Sequence, residues 1–275
     1  MDSRHLGQKL PQNHARAPGR VFGGHAVRED LLDLLQKHNA RLLLLFDYDG
    51  TLVPIAPTPD KARPDQELVR LLKALGRRYR VAIVSGRRLE EIQAFLPLSE
   101  IWGWAGCHGA EIKVAGKELW RYSLSSEEKA LKDKFHLYLA QLLAGRKGFL
   151  LEDKGFVLAL HYRLADKEEA KIVKEEARRA AETFLPRWQI RPGKKVLEFL
   201  PPGINKGAAV ARLLAEAQGF LPAYFGDDAG DAPALRLVEE KAGIGVAVGS
   251  QAPPASFKLA GPEAVRQLLL RLCQP

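Results

Sequence analysis

The sequence predicts an α/β fold, a parallel sheet with flanking helices, interrupted by an α+β insertion. Three observations carry this. Short apolar runs without alternation are followed by helix-like patterns near both ends of the chain, the middle third loses that rhythm, and 275 residues suffice for one large domain or two smaller ones.

Residues 1–27, rich in Gly, Pro, Arg and His with little periodicity, read as a flexible N-terminal tail. Apolar spacing through Leu31, Leu32, Leu34 and Leu35 predicts a short helix over 29–37. The run 42–46 suits a strand buried on both faces, and 65–77 places Leu68, Leu71, Leu72 and Leu75 on one helical face. A second buried strand over 80–84 and a helix over 88–95 complete two strand–helix units. In the middle third, 110–122 resembles a hairpin turning at Gly116, and 125–144 and 166–184 read as helices. Between these helices, 149–152 and 156–162 form an expected antiparallel pair. After 196–200 the first rhythm returns: helix 206–218, strand 222–225, helix 232–239 and strand 244–248. The core is accordingly expected at 28–111 and 198–275, with the insertion at 112–197.

Composition narrows the function. The net charge of +9 invites a nucleic-acid reading, but most of the excess lies in 112–197, with 19 Lys/Arg against 12 Asp/Glu. There the signs alternate, as in Asp166-Lys167-Glu168-Glu169-Ala170-Lys171, which is the pattern of a solvated helix face. No basic–aromatic stripe or zinc spacing accompanies it, so no nucleic-acid partner is expected. A modest positive field suits a small anionic substrate. No apolar run approaches the ~20 residues of a membrane span, and no secretory stretch opens the chain. With only Cys107 and Cys273, a disulfide framework is not expected, and a reducing cytoplasm is the default location. A monomer is the default assembly, although nothing in the sequence fixes it.

Four motifs sit at strand or helix ends, where open α/β sheets gather ligands. In Asp47-Tyr48-Asp49-Gly50-Thr51, two carboxylates just past a strand can converge, one to attack phosphorus and one to move a proton. The same piece also serves as a plain Asp-Gly turn or in a calcium loop. Ser85-Gly86-Arg87 offers a hydroxyl and backbone amides to a phosphate, or simply an N-cap. Lys206-Gly207 opens a helix with an ammonium able to neutralise a phosphoryl group, although a surface lysine would look the same. Gly226-Asp227-Asp228-Ala229-Gly230-Asp231 crowds three carboxylates that need a compensating cation or hydrogen bonds, and hard oxygens point to Mg2+.

In that order and spacing the four motifs resemble the haloacid dehalogenase-like phosphatases over nearly the whole chain after residue 40. The resemblance implies a Rossmann-like parallel-sheet core with a C2-type cap, inserted between the second and third motifs. It implies Asp47 as nucleophile, Asp49 as general acid/base, Ser85 on the phosphoryl oxygen and Lys206 balancing charge. Mg2+ would be held by Asp47, the Asp49 backbone carbonyl and Asp227, with Asp228 and Asp231 supporting from the edge. Thr51, Gly86 and Arg87 would contact substrate.

Within this group the chain is similar to trehalose-6-phosphate phosphatases. The similarity rests on Val84-Ser85-Gly86-Arg87, Gly106-Cys107-His108-Gly109-Ala110-Glu111, Leu151-Glu152-Asp153-Lys154-Gly155, Leu160-His161-Tyr162-Arg163, Glu198 and Lys206-Gly207. Glu152 and Lys154 also share a face in an extended segment, offering an acceptor and a donor to neighbouring hydroxyls, with Glu198 a further acceptor. A surface ion pair would use the same residues. His108 could touch substrate or hinge the cap, and Arg163 could meet phosphate or form an ion pair. Two departures from the family pattern stand out: Gly230 and Ala232 replace the usual Thr and Glu, and the basic residues common after Glu198 are missing. The expected substrate is trehalose 6-phosphate. Alternatives are a sucrose, mannosylglycerate or glucosylglycerate phosphate, a phosphomutase, and a non-catalytic sugar-phosphate sensor.

Overall fold

The computed structural model describes residues 29–114 and 120–274. The expected tail at 1–27 and the turn at Gly116 lie outside the described residues. The first part of the core runs α1 (Glu29–Lys37), β1 (Leu42–Phe46), α2 (Gln66–Arg78), β2 (Arg80–Val84), α3 (Leu89–Phe95), β3 (Gly103–Gly106), β4 (Glu111–Val114) and β5 (Trp120–Arg121). The insertion holds α4 (Ser126–Leu142), β6 (Leu150–Asp153), β7 (Leu158–His161), α5 (Lys167–Phe184), β8 (Gln189–Gly193) and β9 (Val196–Leu200). The chain then returns through α6 (Lys206–Ala215), β10 (Leu221–Gly226), α7 (Ala232–Glu240), β11 (Ile244–Val248), β12 (Phe257–Leu259) and α8 (Pro262–Cys273).

The large sheet has the order β12-β11-β10-β1-β2-β3-β4-β5, parallel up to β3 and antiparallel through β4 and β5. In β1 alternate residues serve opposite faces. Leu42, Leu44 and Phe46 pack with α1, α2, α3 and α8, while Leu43 and Leu45 pack with α6 and α7. A strand covered on both sides needs an unbroken apolar run, which is why β1 shows no alternation. Helix starts are fixed locally. Asp65 accepts from the Leu68 N–H at 2.8 Å ahead of α2, Ser125 and Glu128 form a reciprocal capping box on α4, and Asn205 caps α6.

The cap is an antiparallel sheet, β6-β7-β9-β8, with α4 and α5 on one face. Leu158, Leu160, Leu197 and Phe199 point into those helices, so Ala159, His161, Val196 and Glu198 occupy the other face. A small cluster of Cys107, Ala110, Val157, Leu200 and Ile204 packs where the chain passes between the two units.

The structure moves both expected boundaries of the insertion. Residues 112–114 and 120–121 are strands of the core sheet, because Ile112 and Val114 bury their side chains with α6 and α7. Residues 198–200 belong to the cap sheet, because Leu197 and Phe199 fill the core of the cap. The sheet also contains β3, which Gly103 and Gly106 disguise in a four-residue segment, and the short β12.

Candidate active site

The C-terminal ends of β1, β2 and β10 converge in the core, since β1 pairs with both β2 and β10 in parallel register. Asp47, the first residue past β1, is 3% exposed, and its backbone N–H donates to the Phe225 carbonyl at 2.9 Å. Lys206, at the first turn of α6, donates from Nζ to Asp47 Oδ1 and to Asp231 Oδ1, both at 2.7 Å. Asp231 is fully buried and accepts two further backbone bonds on Oδ2, from Asp227 N at 3.0 Å and Asp228 N at 3.1 Å. The Tyr224 hydroxyl donates to Asp231 Oδ1 at 2.6 Å. Every lone pair of Asp231 is therefore engaged.

Asp47, Asp227 and Asp231 offer oxygens within 4.8 Å of one another. Burial pushes the Asp47 carboxyl well above its ordinary value despite Lys206 beside it, and burial likewise raises Asp227. Burial works against charge on Asp231 too, but Lys206 and the hydrogen bonds outweigh it and hold this carboxyl below its usual value. Two neighbouring buried carboxylates whose charge is disfavoured, both of hard oxygen, match the donor chemistry of Mg2+. Asp231, with all its lone pairs taken, organises this pair rather than adding to it. Gly50, with φ of 90°, lets the loop pass Asp227: a Cβ there would lie 1.9 Å from Asp227 Oδ2.

Other expected site residues take more specific places. Asp49 is held by Arg87, whose Nε donates to Oδ2 at 2.7 Å and whose Nη2 donates to Oδ1 at 2.8 Å. Arg87 also donates to Glu91 and, at 2.8 Å, to the Pro59 carbonyl, and its guanidinium lies over both the Tyr48 and Phe95 rings. Arg87 lines the cavity, and its donors engage protein groups, chiefly Asp49. Thr51 likewise engages a protein group. It is fully buried behind Asp47, with its hydroxyl donating to Asp47 Oδ2 at 3.4 Å. Ser85 is fully buried and its Oγ accepts from Arg87 N at 3.1 Å. Asp228 lines the cavity and accepts from Gly230 N at 2.7 Å.

A cavity of about 450 Å3 opens above these groups, with Asp47, Asp49, Gly86, Arg87, Lys206 and Asp228 on its core side. Glu152, Lys154 and Glu198 line it from the cap. Lys154 Nζ donates to the Gly86 carbonyl at 2.9 Å and to Glu198 Oε1 at 3.3 Å. Burial alone would lower Lys154, but Glu198 and Glu152 raise it, so it keeps its charge. Burial opposes the Glu198 charge too, yet His108 and Lys154 hold its carboxyl far below the usual range. His108 Nε2 lies 2.9 Å from Glu198 Oε2, with its ring against Gly86, where a Cβ would come within 2.7 Å. Cys107 and His108 reach this position through consecutive left-handed conformations, φ of 47° and 56°. Burial lowers the His108 imidazole below its ordinary value.

The motifs did not reveal Lys194 or Arg191, and they gave His161 no role. Lys194, from the β8–β9 turn of the cap, donates to Asp227 Oδ2. His161 meets Glu152 Oε2 at 2.9 Å, and Arg191 lies 3.3 Å from His108 Nδ1. A Gly-Lys-Lys turn directly ahead of the strand bearing Glu198 was the available signal for Lys194. Arg163, read either way from sequence, donates to the Lys194 carbonyl at 2.6 Å.

A family model described as trehalose-phosphatase matches residues 45–260. The chain belongs to the trehalose-phosphatase family. Trehalose-6-phosphate phosphatase of Escherichia coli (strain K12) is 34% identical over 228 residues, covering 81% of this chain and 83% of that one. Probable trehalose-phosphate phosphatase 4 of Oryza sativa subsp. japonica is 30% identical over 247 residues, covering 85% of this chain. The chain spans 66% of that rice protein's length. Among solved structures, the C-terminal domain of C. albicans trehalose-6-phosphate phosphatase superposes with a TM-score of 0.77 at 26% identity. It covers 90% of this chain and 97% of that one. A haloacid dehalogenase-like hydrolase from Bacteroides thetaiotaomicron shares the fold at a TM-score of 0.60 and 17% identity. This member of the trehalose-phosphatase family therefore has the haloacid dehalogenase-like core and cap that the motifs implied. Among its described residues no helix is long and apolar enough to cross a membrane.

Proposed function

We propose that this chain is a Mg2+-dependent phosphatase that hydrolyses trehalose 6-phosphate through an aspartyl-phosphate on Asp47. The observation carrying this reading is the Asp47–Lys206–Asp231 chain of 2.7 Å contacts at the floor of a cavity whose cap wall bears Glu152, Lys154 and Glu198. The names of the relatives support the choice of sugar.

Asp47 and Asp227 would hold Mg2+, with the Asp49 carbonyl, and the ion would supply positive charge to the phosphoryl oxygens. Lys206 opposes the burial that disfavours charge on Asp47 and aims its carboxylate at the substrate. An Asp47 oxygen attacks phosphorus, the bond from phosphorus to the sugar oxygen breaks, and Asp49 gives that oxygen a proton. Asp49 then takes a proton from water, whose oxygen attacks the phosphorus and frees Asp47 and phosphate. Arg87 takes one lone pair on each Asp49 oxygen, which fixes the carboxyl group and leaves a second lone pair on each oxygen to give or receive the proton. Ser85 would bind a phosphoryl oxygen, and Glu152, Lys154, Glu198 and His108 would meet the sugar hydroxyls.

A panel of trehalose 6-phosphate, sucrose 6-phosphate, glucosylglycerate phosphate and mannosylglycerate phosphate, read by phosphate release with and without Mg2+, tests the reading. Trehalose 6-phosphate should be preferred at least tenfold, and a chelator should abolish turnover. Equal or greater turnover of another sugar phosphate removes the trehalose assignment, and full activity under chelation removes Mg2+.

A further inference from the structure

The register of the cap sheet divides the cavity wall into two chemically different rows. Glu152, Ala159, Glu198 and Arg191 align across β6, β7, β9 and β8, and the next row on that face is Leu150, His161, Val196 and Gly193. Residues two apart on a strand share a face. Leu150 therefore stands beside Glu152, and Val196 beside Glu198, and all four line the cavity. The first row can read hydroxyls. In the second, Leu150 and Val196 are apolar, and His161 commits its Nε2 to Glu152 at 2.9 Å.

The same cavity is lined by Leu164, just past β7, and by Ile55 of the core. Leu150 is 50% exposed, Leu164 66% and Ile55 37%, and these are three of the six large apolar side chains left exposed among the described residues. Scattered exposed apolar residues need no explanation, whereas a group lining one cavity from two structural units marks a binding surface. Its occupant follows from continuity. A substrate with phosphorus at Asp47 and hydroxyls at Glu152, Lys154 and Glu198 places its remaining part in this same cavity.

We propose that the site also accepts phosphorylated hexosides whose group beyond the phosphosugar is apolar, such as alkyl 6-phosphoglucosides. The inference rests on the sugar-phosphate reading above and extends its substrate class. The chemistry is unchanged: the bond from phosphorus to the sugar oxygen breaks, water supplies the new oxygen on phosphate, and the glycosidic bond stays intact. The group beyond the sugar needs no hydroxyl to bury itself against Leu150, Val196, Leu164 and Ile55.

Phosphate release from hexyl 6-phospho-α-D-glucoside, glucose 6-phosphate, trehalose 6-phosphate and 4-nitrophenyl phosphate tests the proposal on the full chain. A six-carbon chain laid on half-exposed leucines should raise kcat/KM at least tenfold over glucose 6-phosphate. That preference should fall at least fivefold in both Leu150→Ser and Leu164→Ser, with circular dichroism confirming that each variant folds. A hexyl substrate no better than glucose 6-phosphate overturns the proposal. So does a preference unchanged in both variants, since the leucines would then serve only to meet Ile55 on cap closure. Hydrolysis of 4-nitrophenyl phosphate with none of the three sugar phosphates overturns the sugar-phosphate reading itself, and the extension with it.

Discussion

Asp231→Asn is the sharpest probe of how the acidic loop is built. The carboxylate accepts four hydrogen bonds, from Lys206 and Tyr224 on one oxygen and from the Asp227 and Asp228 N–H groups on the other. An amide has one accepting oxygen and one donating nitrogen. If the oxygen faces Lys206 and Tyr224, the nitrogen confronts two backbone donors; if it is flipped, the nitrogen confronts the ammonium. Each buried donor left unpaired costs about 1–3 kcal/mol, and breaking a buried charge pair about 3–5 kcal/mol. The expected loss is thus about 3–5 kcal/mol, with turnover reduced at least 100-fold as Lys206 loses the partner that aims it. Urea unfolding followed by tryptophan fluorescence, for which Trp104 is buried in the core, measures the first, and phosphate release the second. Asp228→Asn, at a partly exposed carboxylate whose bonds are all local, serves as control with a change below about 1 kcal/mol. A loss below about 1 kcal/mol in Asp231→Asn, with activity retained, would refute the four-acceptor role.

Three further outcomes are expected. Gly50→Ala places a Cβ 1.9 Å from Asp227 Oδ2 at a φ of 90°, so it should displace Asp227 and lower turnover at least tenfold, with weakened Mg2+ binding measurable by titration calorimetry. Arg87→Met frees Asp49 from its two-point grip and should slow hydrolysis of a sugar phosphate at least tenfold. In single-turnover kinetics 4-nitrophenyl phosphate, whose leaving group needs no proton, should be slowed much less; equal slowing would make Arg87 merely structural. Burial holds His108 below its ordinary pKa, so the unfolded chain takes up a proton near pH 6.5 that the folded site resists. Stability present above that pH should decline as pH falls below it, and His108→Gln should flatten the decline in thermal melts from pH 7 to 5.

The sequence announced the core well because apolar runs such as 42–46 and 244–248 have one physical explanation, burial on both faces of a parallel sheet. Its motifs located Asp47, Lys206 and Asp227 because each sits at the end of a regular element. What spacing could not show was which side chain answers which. Arg87 looked like a phosphate ligand, and only the fold brings Asp49 to its guanidinium. Lys194 lies in a turn of the cap, and its contact with Asp227 depends on how the cap seats on the core. The boundaries of the insertion were misread for a related reason. Ile112 and Leu197 are equally apolar, and nothing local says that one packs with α6 and the other with α4 and α5.

The pairing of β1 with β10 bears on how the protein is made. Leu42 finds Leu221, and Phe46 finds Phe225, only after the whole cap has been synthesised between them. On the ribosome the cap, whose strands and helices are contiguous in sequence, can fold while β1 still lacks β10, its neighbour on one side. During that interval Leu-Leu-Leu-Leu-Phe presents an open apolar edge on its β10 side, the kind of segment that joins other chains. Nascent-chain pauses placed before residue 221 should therefore bind holding chaperones more strongly than pauses placed after residue 226. The inserted cap that completes the active site also sets how long the central strand waits.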